Sequence, residues 1–255
     1  MTQAVSADFQ VRLAEGPEDL IAAQRLRYAV FVEELGGDGA LVDHEARLEK
    51  DSLDPFFDHL LLIDNASQQV VGVYRLMRPE QFREAGRYYT SGEYDLSPLI
   101  ASGRRILELG RSCLHRDYRG GTGMHHLWSA LGQYVLAHRI EVLFGVASFH
   151  GTDIAALAQP LSLLHHRHLA PPDLRVRALE KSFQSMALLE EAALDRKTAM
   201  MQVPSLIKAY LRLGGFVGEG AYVDHHFNTT DVCLIMDTTR LSDRQARIYG
   251  GGTRA

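Results

Sequence analysis

A glycine-rich turn offers the first chemistry in this chain of 255 residues. Residues 119–123 (Arg-Gly-Gly-Thr-Gly) stand between a strand pattern and a helix pattern. Such a turn presents backbone amides to an anion, and the start of the following helix adds partial positive charge. Arginines concentrate here, at positions 104, 105, 111, 116 and 119, against the acids Glu108 and Asp117. The pattern favours a site for a phosphate-bearing partner, with a solvated strand end as the alternative.

The composition indicates a folded, mildly acidic protein. Hydrophobic residues make up 46% and charged residues 23%, which assures a sizeable core. Lys and Arg number 27 against 32 Asp and Glu, so the net charge of −5 excludes a surface built for nucleic acid. Two cysteines, Cys113 and Cys233, are too few for a disulfide scaffold. With no leader pattern and no apolar run long enough for a bilayer, we expect a cytoplasmic protein that meets a membrane only peripherally.

Alternating strand and helix patterns must position these residues. A strand pattern at 9–13 precedes a helix pattern at 17–35, which begins with proline and acids and ends at two glycines. Apolar runs at 60–64 and 70–77 flank Asn65-Ala66-Ser67, which predicts a β-hairpin, and a further strand is predicted over 216–223. The strand, glycine turn, helix and strand over 105–148 form a crossover unit, which predicts two parallel neighbouring strands. No repeat or linker is present, so we expect one domain over 1–255, with a core at 9–237 and a tail at 238–255.

This order of elements resembles the GCN5-related N-acyltransferase (GNAT) fold. The segments RYAVF at 27–31, YRL at 74–76 and ELGR at 108–111, together with Asp58, resemble autoinducer synthases. Four blocks are more similar to the bacterial L-ornithine Nα-acyltransferases that make lyso-ornithine lipid: ELGRSCLH at 108–115, SFHGTD at 148–153, IKAYLRLG at 207–214 and DHHFNTTDV at 224–232. The resemblance implies an α/β fold of the α+β type: a GNAT-like mixed sheet of about seven strands flanked by helices, with a helical insertion at about 151–200.

The glycine turn departs from the superfamily pattern in a way that bears on the acyl donor. Counted from Arg119, the chain has Thr122 and Met124 where the pattern has small residues. A coenzyme A diphosphate is therefore less favoured than the single phosphate of a phosphopantetheine arm. We expect acyl carrier protein as partner and thioester donor, with no other cofactor. The residues expected along the arm are Ser112, Cys113, Leu114, Arg119, Gly120, Gly121, Thr122 and Gly123.

The resemblance implies amide formation, in which an amine attacks a thioester carbonyl, and it makes Glu108 the expected base. The alternative role for Glu108 is an ion pair with Arg111 or Arg75. Residues 108 and 111 face opposite sides of a regular strand, so they share a site only if the strand bulges. Gly110 is the expected bulge position.

Tyr210 is the expected general acid toward the leaving thiolate. Residues 210–216 (YLRLGGF) resemble the superfamily's tyrosine, three residues, glycine and phenylalanine, with one glycine inserted. The alternative is a core tyrosine whose hydroxyl is satisfied within the protein.

The amine substrate needs partners for its carboxylate and for its cationic side chain. Arg27, Phe31 and Glu34 share one face of the first helix. Arg27 and Arg75 can hold a carboxylate with paired hydrogen bonds. In autoinducer synthases the positions that resemble Arg27, Phe31, Asp58 and Arg75 line the pocket for the amine.

Several acids can meet an ammonium group. Asp54, Asp58 and Glu34 are retained, whereas Asp43 and Glu45 are expected to be solvated loop charges. The expected set of substrate-binding residues is Arg27, Phe31, Glu34, Asp54, Asp58, Arg75 and Arg111.

Metal and covalent chemistry are disfavoured. The run His165-His166-Arg167-His168 and the pair His225-His226 lack metal-ligand spacing, so no metal is expected. Cys113 and His115 would face the same side of a strand, which permits an acyl-cysteine. Because the superfamily transfers acyl groups directly, a buried structural cysteine is the stronger interpretation.

Taken together, the residues and the resemblance predict an acyltransferase. The expected reaction moves a 3-hydroxy fatty acyl group from acyl carrier protein to the α-amine of L-ornithine. Acylation of another amino acid such as glutamine, autoinducer synthesis, and a non-catalytic acyl- or carrier-binding module are the alternatives. The insertion at 151–200 is expected to cover the acyl chain or to contact the inner membrane, with an ordinary helical cap over the sheet as the alternative.

Overall fold

A computed structural model describes residues 8–240 of the chain. Predictions for residues 1–7 and for the end of the tail, 241–255, lie outside the described residues. The α-helices in this part of the chain are α1 (Pro17–Arg27), α2 (Pro79–Ala85), α3 (Ser97–Ala101), α4 (Gly123–Ala137), α5 (Ala158–His168), α6 (Arg196–Gln202) and α7 (Ser205–Arg212).

Strands of four or more residues are β1 (Phe9–Leu13), β2 (Asp58–Asp64), β3 (Gln69–Met77), β5 (Ile106–Leu114), β6 (Val142–His150), β10 (Ala221–Asp224) and β11 (Thr229–Asp237). Two-residue strands are β4 (Tyr94–Asp95), β7 (Arg177–Ala178), β8 (Phe183–Gln184) and β9 (Phe216–Val217). The fold is mixed α+β with a large mixed sheet flanked by helices, which confirms the predicted class.

The chain divides into two compact units. The first comprises residues 8–76 and 110–138 of the described chain, and the second comprises 77–109 and 139–240. Strand β5 begins in the second unit and ends in the first.

The first unit is built on the antiparallel strands β1, β2 and β3. Its core joins Ala23 and Leu26 of α1 to Leu61, Val73 and Cys113 of the strands. Helix α4 contacts β1 and β2. The antiparallel pairing of β2 with β3 confirms the predicted hairpin at 60–77.

The predicted first helix has two parts. It is α-helical from Pro17 to Arg27 and continues as a π-helix over Tyr28–Glu34. Gly36 follows with a φ of 73°, a left-handed backbone that glycine adopts readily. π-Helical turns are rare and occur mostly at functional sites.

The second unit contains the parallel pair that the sequence predicted. The first part of β5 pairs with β6 from Ile106↔Val142 to Glu108↔Phe144. Strand β11 pairs antiparallel with β6 along its whole length, and β10 and β8 follow.

Two segments of the second unit differ from their predictions. The strand predicted over 216–223 is split into β9 and β10, because Gly220 has a φ of 75°. The insertion at 151–200 holds α5 and the start of α6, with short strands and 3-10 turns between them. Within the described residues, no helix has both the length and the apolar character that a membrane crossing requires.

Candidate active site

A buried network of charged side chains lies in the first unit. It balances three guanidinium groups against three carboxylates, so the set is electrically neutral when all six are ionised. Its members are Arg27, Arg75, Arg111, Glu49, Asp51 and Asp54. Buried charges are tolerated only when they are paired in this way.

Asp54 is the centre of the network. Its Oδ1 accepts hydrogen bonds from Arg27 Nη1 at 2.7 Å and from Arg75 Nη1 at 2.8 Å. Its Oδ2 accepts from Gln24 Nε2 at 2.9 Å, and its backbone oxygen bonds His59 Nε2 at 3.0 Å. Burial raises the pKa of Asp54, but the charges of Arg27 and Arg75 outweigh burial and hold the pKa below its ordinary value. Asp54 therefore positions the two arginines.

Glu49 and Asp51 complete the network. Glu49 accepts from both Arg27 and Arg111, and Asp51 accepts from Arg75 Nη1 at 2.7 Å. Neither acid is among the predicted site residues. The sequence feature that could have indicated them is a run of three closely spaced acids shortly before β2: Glu49, Asp51 and Asp54.

Arg111 is at the solvent-facing end of the network. Its Nε donates to Glu49 Oε1 at 3.1 Å, and its Nη2 lies 3.5 Å from Asp51 Oδ2. The side chains of Arg111 and Asp51 are 14% and 20% exposed, whereas those of Arg27 and Asp54 are 0% and 2% exposed. The pair of Arg111 and Asp51 is thus the part of the network that a solute can reach.

The backbone of β5 is left-handed at Arg111, with a φ of 50°. The predicted bulge was placed at Gly110, so the irregularity lies one residue later than expected. A non-glycine residue in this conformation stores strain, and such residues cluster at functional sites.

The other predicted substrate residues have separate contacts. Phe31 packs against the core of the first unit. Glu34 accepts from Arg119 Nη2 at 2.8 Å. Asp58 accepts a hydrogen bond from Tyr134 Oη at 2.5 Å. Their roles toward a substrate stay predictions.

Glu108 lies in the second unit and is 1% exposed. Its Oε1 accepts from the backbone amide of Thr90 at 2.6 Å, and its Oε2 accepts from that of Tyr89 at 2.9 Å. Two amide donors stabilise a carboxylate charge and fix its orientation. The neighbouring Tyr88 has a raised pKa, because of its burial and then of the charge of Glu108.

The chain after Glu108 passes very close to β6. A Cβ at Gly145 would lie 2.1 Å from the carbonyl oxygen of Leu109. This is a steric clash, so only glycine fits at this position. The parallel pairing of the second unit stops at the preceding pair, Glu108 and Phe144. The close approach therefore explains a glycine in the middle of an apolar strand.

Tyr210 is buried on α7. Its backbone oxygen accepts from the amide of Gly215 at 2.9 Å, and a Cβ at Gly215 would lie 2.8 Å from that oxygen. Gly214, with a φ of 85°, ends the helix. The paired glycines thus have a local conformational cause. The acid role of Tyr210 stays a prediction.

The glycine turn joins β5 to α4 as predicted. Gly120 has a φ of 78°, Gly121 precedes Thr122, and α4 begins at Gly123. The side chain of Arg119 is engaged with the protein, because its Nε donates to the carbonyl of Leu114 at 3.1 Å.

The residues before the turn belong to the core of the first unit. Cys113 and Leu114 are buried, and Ser112 is half-buried. Burial raises the pKa of the Cys113 thiol to about 12. A thiol with this pKa is almost entirely protonated at neutral pH, so Cys113 is unsuited to be a nucleophile.

Comparison with known proteins adds the family. Residues 26–129 match the family model described as an acetyltransferase (GNAT) domain. The chain is 59% identical over 251 residues to an L-ornithine N(alpha)-acyltransferase of Rhodobacter capsulatus, covering 96% of each chain. It is 43% identical to a Brucella abortus protein of the same name, covering 94% of this chain and 88% of that one.

Solved structures of similar fold include two synthases. FeeM, an N-acyl amino acid synthase from uncultured soil microbes, aligns with a TM-score of 0.54 at 11% identity over 92% of this chain and 93% of that one. The AHL synthase LasI aligns with a TM-score of 0.51 at 17% identity over 98% of both chains. These likenesses concern the fold alone. The full-length sequence relatives, together with the GNAT match, place the chain among acyltransferases: it belongs to the L-ornithine N(alpha)-acyltransferase family.

Proposed function

We propose that this acyltransferase moves a 3-hydroxy fatty acyl group from acyl carrier protein to the α-amine of L-ornithine, which forms lyso-ornithine lipid. The observation that carries the acceptor is the neutral network of the first unit, whose accessible end is the pair of Arg111 and Asp51. The name shared by the relatives at 59% and 43% identity supports ornithine.

The accessible ion pair suits a zwitterionic ligand. Arg111 Nη2 and Asp51 Oδ2 are 3.5 Å apart, a longer contact than that of Arg75 with Asp51 at 2.7 Å. A ligand with a carboxylate and an ammonium can enter this pair and give each ion a new partner. The network then stays neutral, which avoids an unpaired charge in a poorly hydrated site.

This arrangement favours ornithine over glutamine. The δ-ammonium of ornithine would meet the carboxylate of Asp51, and the α-carboxylate would meet the guanidinium of Arg111. The side-chain amide of glutamine offers no charge to Asp51, so its binding would break an ion pair without replacing it.

The reaction needs two proton transfers, one from the attacking amine and one to the leaving thiolate. The neutral α-amine attacks the thioester carbonyl and forms the C–N bond, while Glu108 takes the proton that the nitrogen loses, directly or through water. Collapse of the tetrahedral intermediate breaks the C–S bond, and Tyr210 gives a proton to the leaving thiolate. The amides of Tyr89 and Thr90 fix the orientation of the Glu108 carboxylate, which supports the proposed role.

The glycine turn supports a carrier-bound donor. Thr122 and Met124 occupy positions where the superfamily pattern has small residues, which leaves less room beside the amides. A phosphopantetheine arm brings one phosphate and needs fewer contacts than a coenzyme A diphosphate. The thioester is a co-substrate, and no other cofactor is proposed.

Substitution Glu108→Gln tests the base. The amide keeps the shape of the side chain but cannot take a proton, so the rate of ornithine acylation should fall by about 10²–10⁴. Glu84→Gln, at an exposed position of α2, is the control and should keep full rate. If purified Glu108→Gln acylates ornithine at the original rate, the base assignment is wrong.

Mass spectrometry of lipids tests the reaction as a whole. A bacterial host that expresses the chain and contains acyl carrier protein should accumulate a new amide-linked ornithine lipid in its membrane fraction. A protein that binds acyl carrier protein tightly while no such lipid forms would instead be a binding module. Fractionation of the same cells tests the proposed location at the cytoplasmic face of the inner membrane.

Substitution Asp51→Asn tests the acceptor site. It removes the proposed partner of the δ-ammonium, so KM for ornithine should rise by about tenfold or more. The preference for ornithine over glutamine should shrink by the same factor. An unchanged preference would place the ammonium elsewhere.

A further inference from the structure

Thr90 lies directly beside Glu108 in the second unit. Its backbone amide donates to Glu108 Oε1 at 2.6 Å, and the amide of the preceding Tyr89 donates to Oε2. Thr90 is 1% exposed, the same fraction as Glu108. The two residues therefore share a region that bulk solvent does not reach.

The side-chain hydroxyl of Thr90 is the unusual feature of this region. Its Oγ1 is buried and has no hydrogen-bond partner within residues 8–240. A buried hydroxyl in this state costs about 1–3 kcal/mol, and an apolar side chain of the same shape would avoid that cost. Buried hydroxyls in folded proteins are normally bonded to protein or to an ordered water. The hydroxyl therefore indicates a small polar ligand beside it.

Aromatic rings surround Glu108 on the sheet. Phe144 is its partner in the parallel pair of β5 and β6, and Tyr88 meets the ring of Phe144 edge-on, with ring centroids 5.1 Å apart. Phe82 stacks on Tyr88 with centroids 4.4 Å apart. Ring carbons offer no hydrogen bond to a water molecule. A water in this region is therefore held by the few polar atoms near it, which include Thr90 Oγ1 and the Glu108 carboxylate.

The distances allow one water between the hydroxyl and the carboxylate. A threonine Oγ1 stays within about 4 Å of its own backbone nitrogen, because only three bonds separate the two atoms. The nitrogen of Thr90 is 2.6 Å from Glu108 Oε1, so Oγ1 is at most about 6 Å from that oxygen. Two hydrogen bonds that meet at one water span about 5–6 Å. A single molecule can therefore join the two side chains.

Burial favours water over ornithine as this ligand. An amino acid binds through atoms that it can reach, whereas a water needs only about 10–15 Å³ of space and two to four polar partners. The hydroxyl of Thr90 and the carboxylate of Glu108 supply two of these partners. The α-amine of ornithine, on the far side of the water, would supply a third.

Resting on the proposed function, we infer that Thr90 is a positioning residue of the acyl transfer, whose hydroxyl holds the water that passes the amine proton to Glu108. As the C–N bond forms, the nitrogen gives a proton to this water, and the water gives one of its own protons to the carboxylate. Oγ1 accepts the other O–H of the water, which turns a lone pair of the water toward the amine. The water is regenerated, and Thr90 neither gains nor loses a proton.

Substitutions Thr90→Val and Thr90→Ser test the hydroxyl. Valine keeps the shape without the hydroxyl, so kcat for ornithine acylation should fall by about ten- to a hundredfold, while KM for ornithine changes less than about twofold. Serine keeps the hydroxyl and should stay within about threefold of the original kcat. Should valine prevent folding, Thr90→Ala removes the same hydroxyl and should show the same loss relative to Thr90→Ser. A higher KM with unchanged kcat would overturn the inference.

A double variant tests whether Thr90 acts through Glu108. The water serves only the carboxylate, so Thr90→Val should lower kcat no further in a protein that already carries Glu108→Gln. The double variant and Glu108→Gln alone should therefore acylate ornithine at the same rate. A double variant whose loss is the product of the two single losses would show that the residues act independently, which overturns the inference.

Thr198→Val is the matched control, because Thr198 lies on α6 and its hydroxyl donates to Asp195 Oδ2. It should keep the original kcat. If Thr90→Val also keeps it while Glu108→Gln is slow, the inference is overturned and the proposed base stands. If Glu108→Gln keeps the original rate as well, the proposed base is wrong and the role of Thr90 fails with it.

Discussion

Arg27 donates a hydrogen bond from Nη1 to Asp54 Oδ1 over 2.7 Å, and neither side chain is more than 2% exposed. Two ions that give up nearly all of their hydration depend on each other, because removal of one leaves the other without compensation. The same carboxylate oxygen also accepts from Arg75. The position of both arginines therefore depends on a single acid.

Substitution Asp54→Asn should destabilise the protein by about 3–5 kcal/mol, because it removes the charge that compensates two buried guanidinium groups. Urea unfolding of the full chain measures this free energy. Glu84→Gln, an exposed change of the same chemical kind, should shift it by less than about 0.5 kcal/mol. A loss below about 1 kcal/mol for Asp54→Asn would show that the network tolerates an unpaired arginine.

Stability should fall as the pH is lowered below about 6.5, because of His59. Burial lowers the pKa of His59, and the nearby charges of Arg27 and Arg75 lower it further, whereas Asp54 opposes them. The unfolded chain then binds a proton that the native chain does not, so the free energy of unfolding falls as the pH is lowered from the ordinary pKa toward the native pKa.

Unfolding by urea at pH 7.5, 6.5 and 5.5 measures this dependence. In His59→Gln the slope should be shallower but not zero, because burial also lowers the pKa of His165 and His168. An identical slope in both proteins would contradict the role of His59. Below pH 4 both should lose further stability, as Glu49, Asp51 and Asp54, whose pKa values are lowered, become protonated.

Cys113 should not react with iodoacetamide in the native protein at pH 8. Its thiol is buried and its pKa is raised to about 12, so little thiolate forms and the reagent has no access. Peptide mass spectrometry should find Cys113 alkylated only after unfolding. Rapid native alkylation that also abolishes acyl transfer would revive the acyl-cysteine alternative.

Substitution Gly145→Ala should cost about 3 kcal/mol or more, because the added Cβ would meet the carbonyl of Leu109 at 2.1 Å. Thermal unfolding gives the loss. Gly92→Ala is the control in the same unit, since its Cβ would meet no atom within 4 Å. Equal stability of the two variants would contradict the close approach of these strands.

Local patterns predicted the elements well, since β1, the hairpin of β2 and β3, and the parallel pair of β5 and β6 follow from alternation and from turn residues. The partners of charged side chains do not follow from local patterns. Arg27 and Arg75 both bind Asp54 of the chain itself, and their contact with a ligand carboxylate stays a prediction.

The missed features share a physical cause. Glu49 reaches Arg111 across 62 positions of sequence, and no periodicity reports such a contact. The left-handed backbone of Arg111 also opposes the local preference, which pointed to the adjacent glycine. Both features are set by tertiary packing, and sequence patterns describe only near neighbours.

The π-helix also sets the directions of the side chains on either side of it. Arg27, immediately before it, belongs to the buried network, whereas Glu33 and Glu34, at its end, pair with Arg47 and Arg119 near the surface. A single-residue deletion inside the segment would let an ordinary α-helix continue, and every later side chain would turn by about 100°. The additional residue therefore lets one helix direct Arg27 into the interior and Glu34 toward the surface. A chain without it would lose either the buried ion pairs or the surface ones.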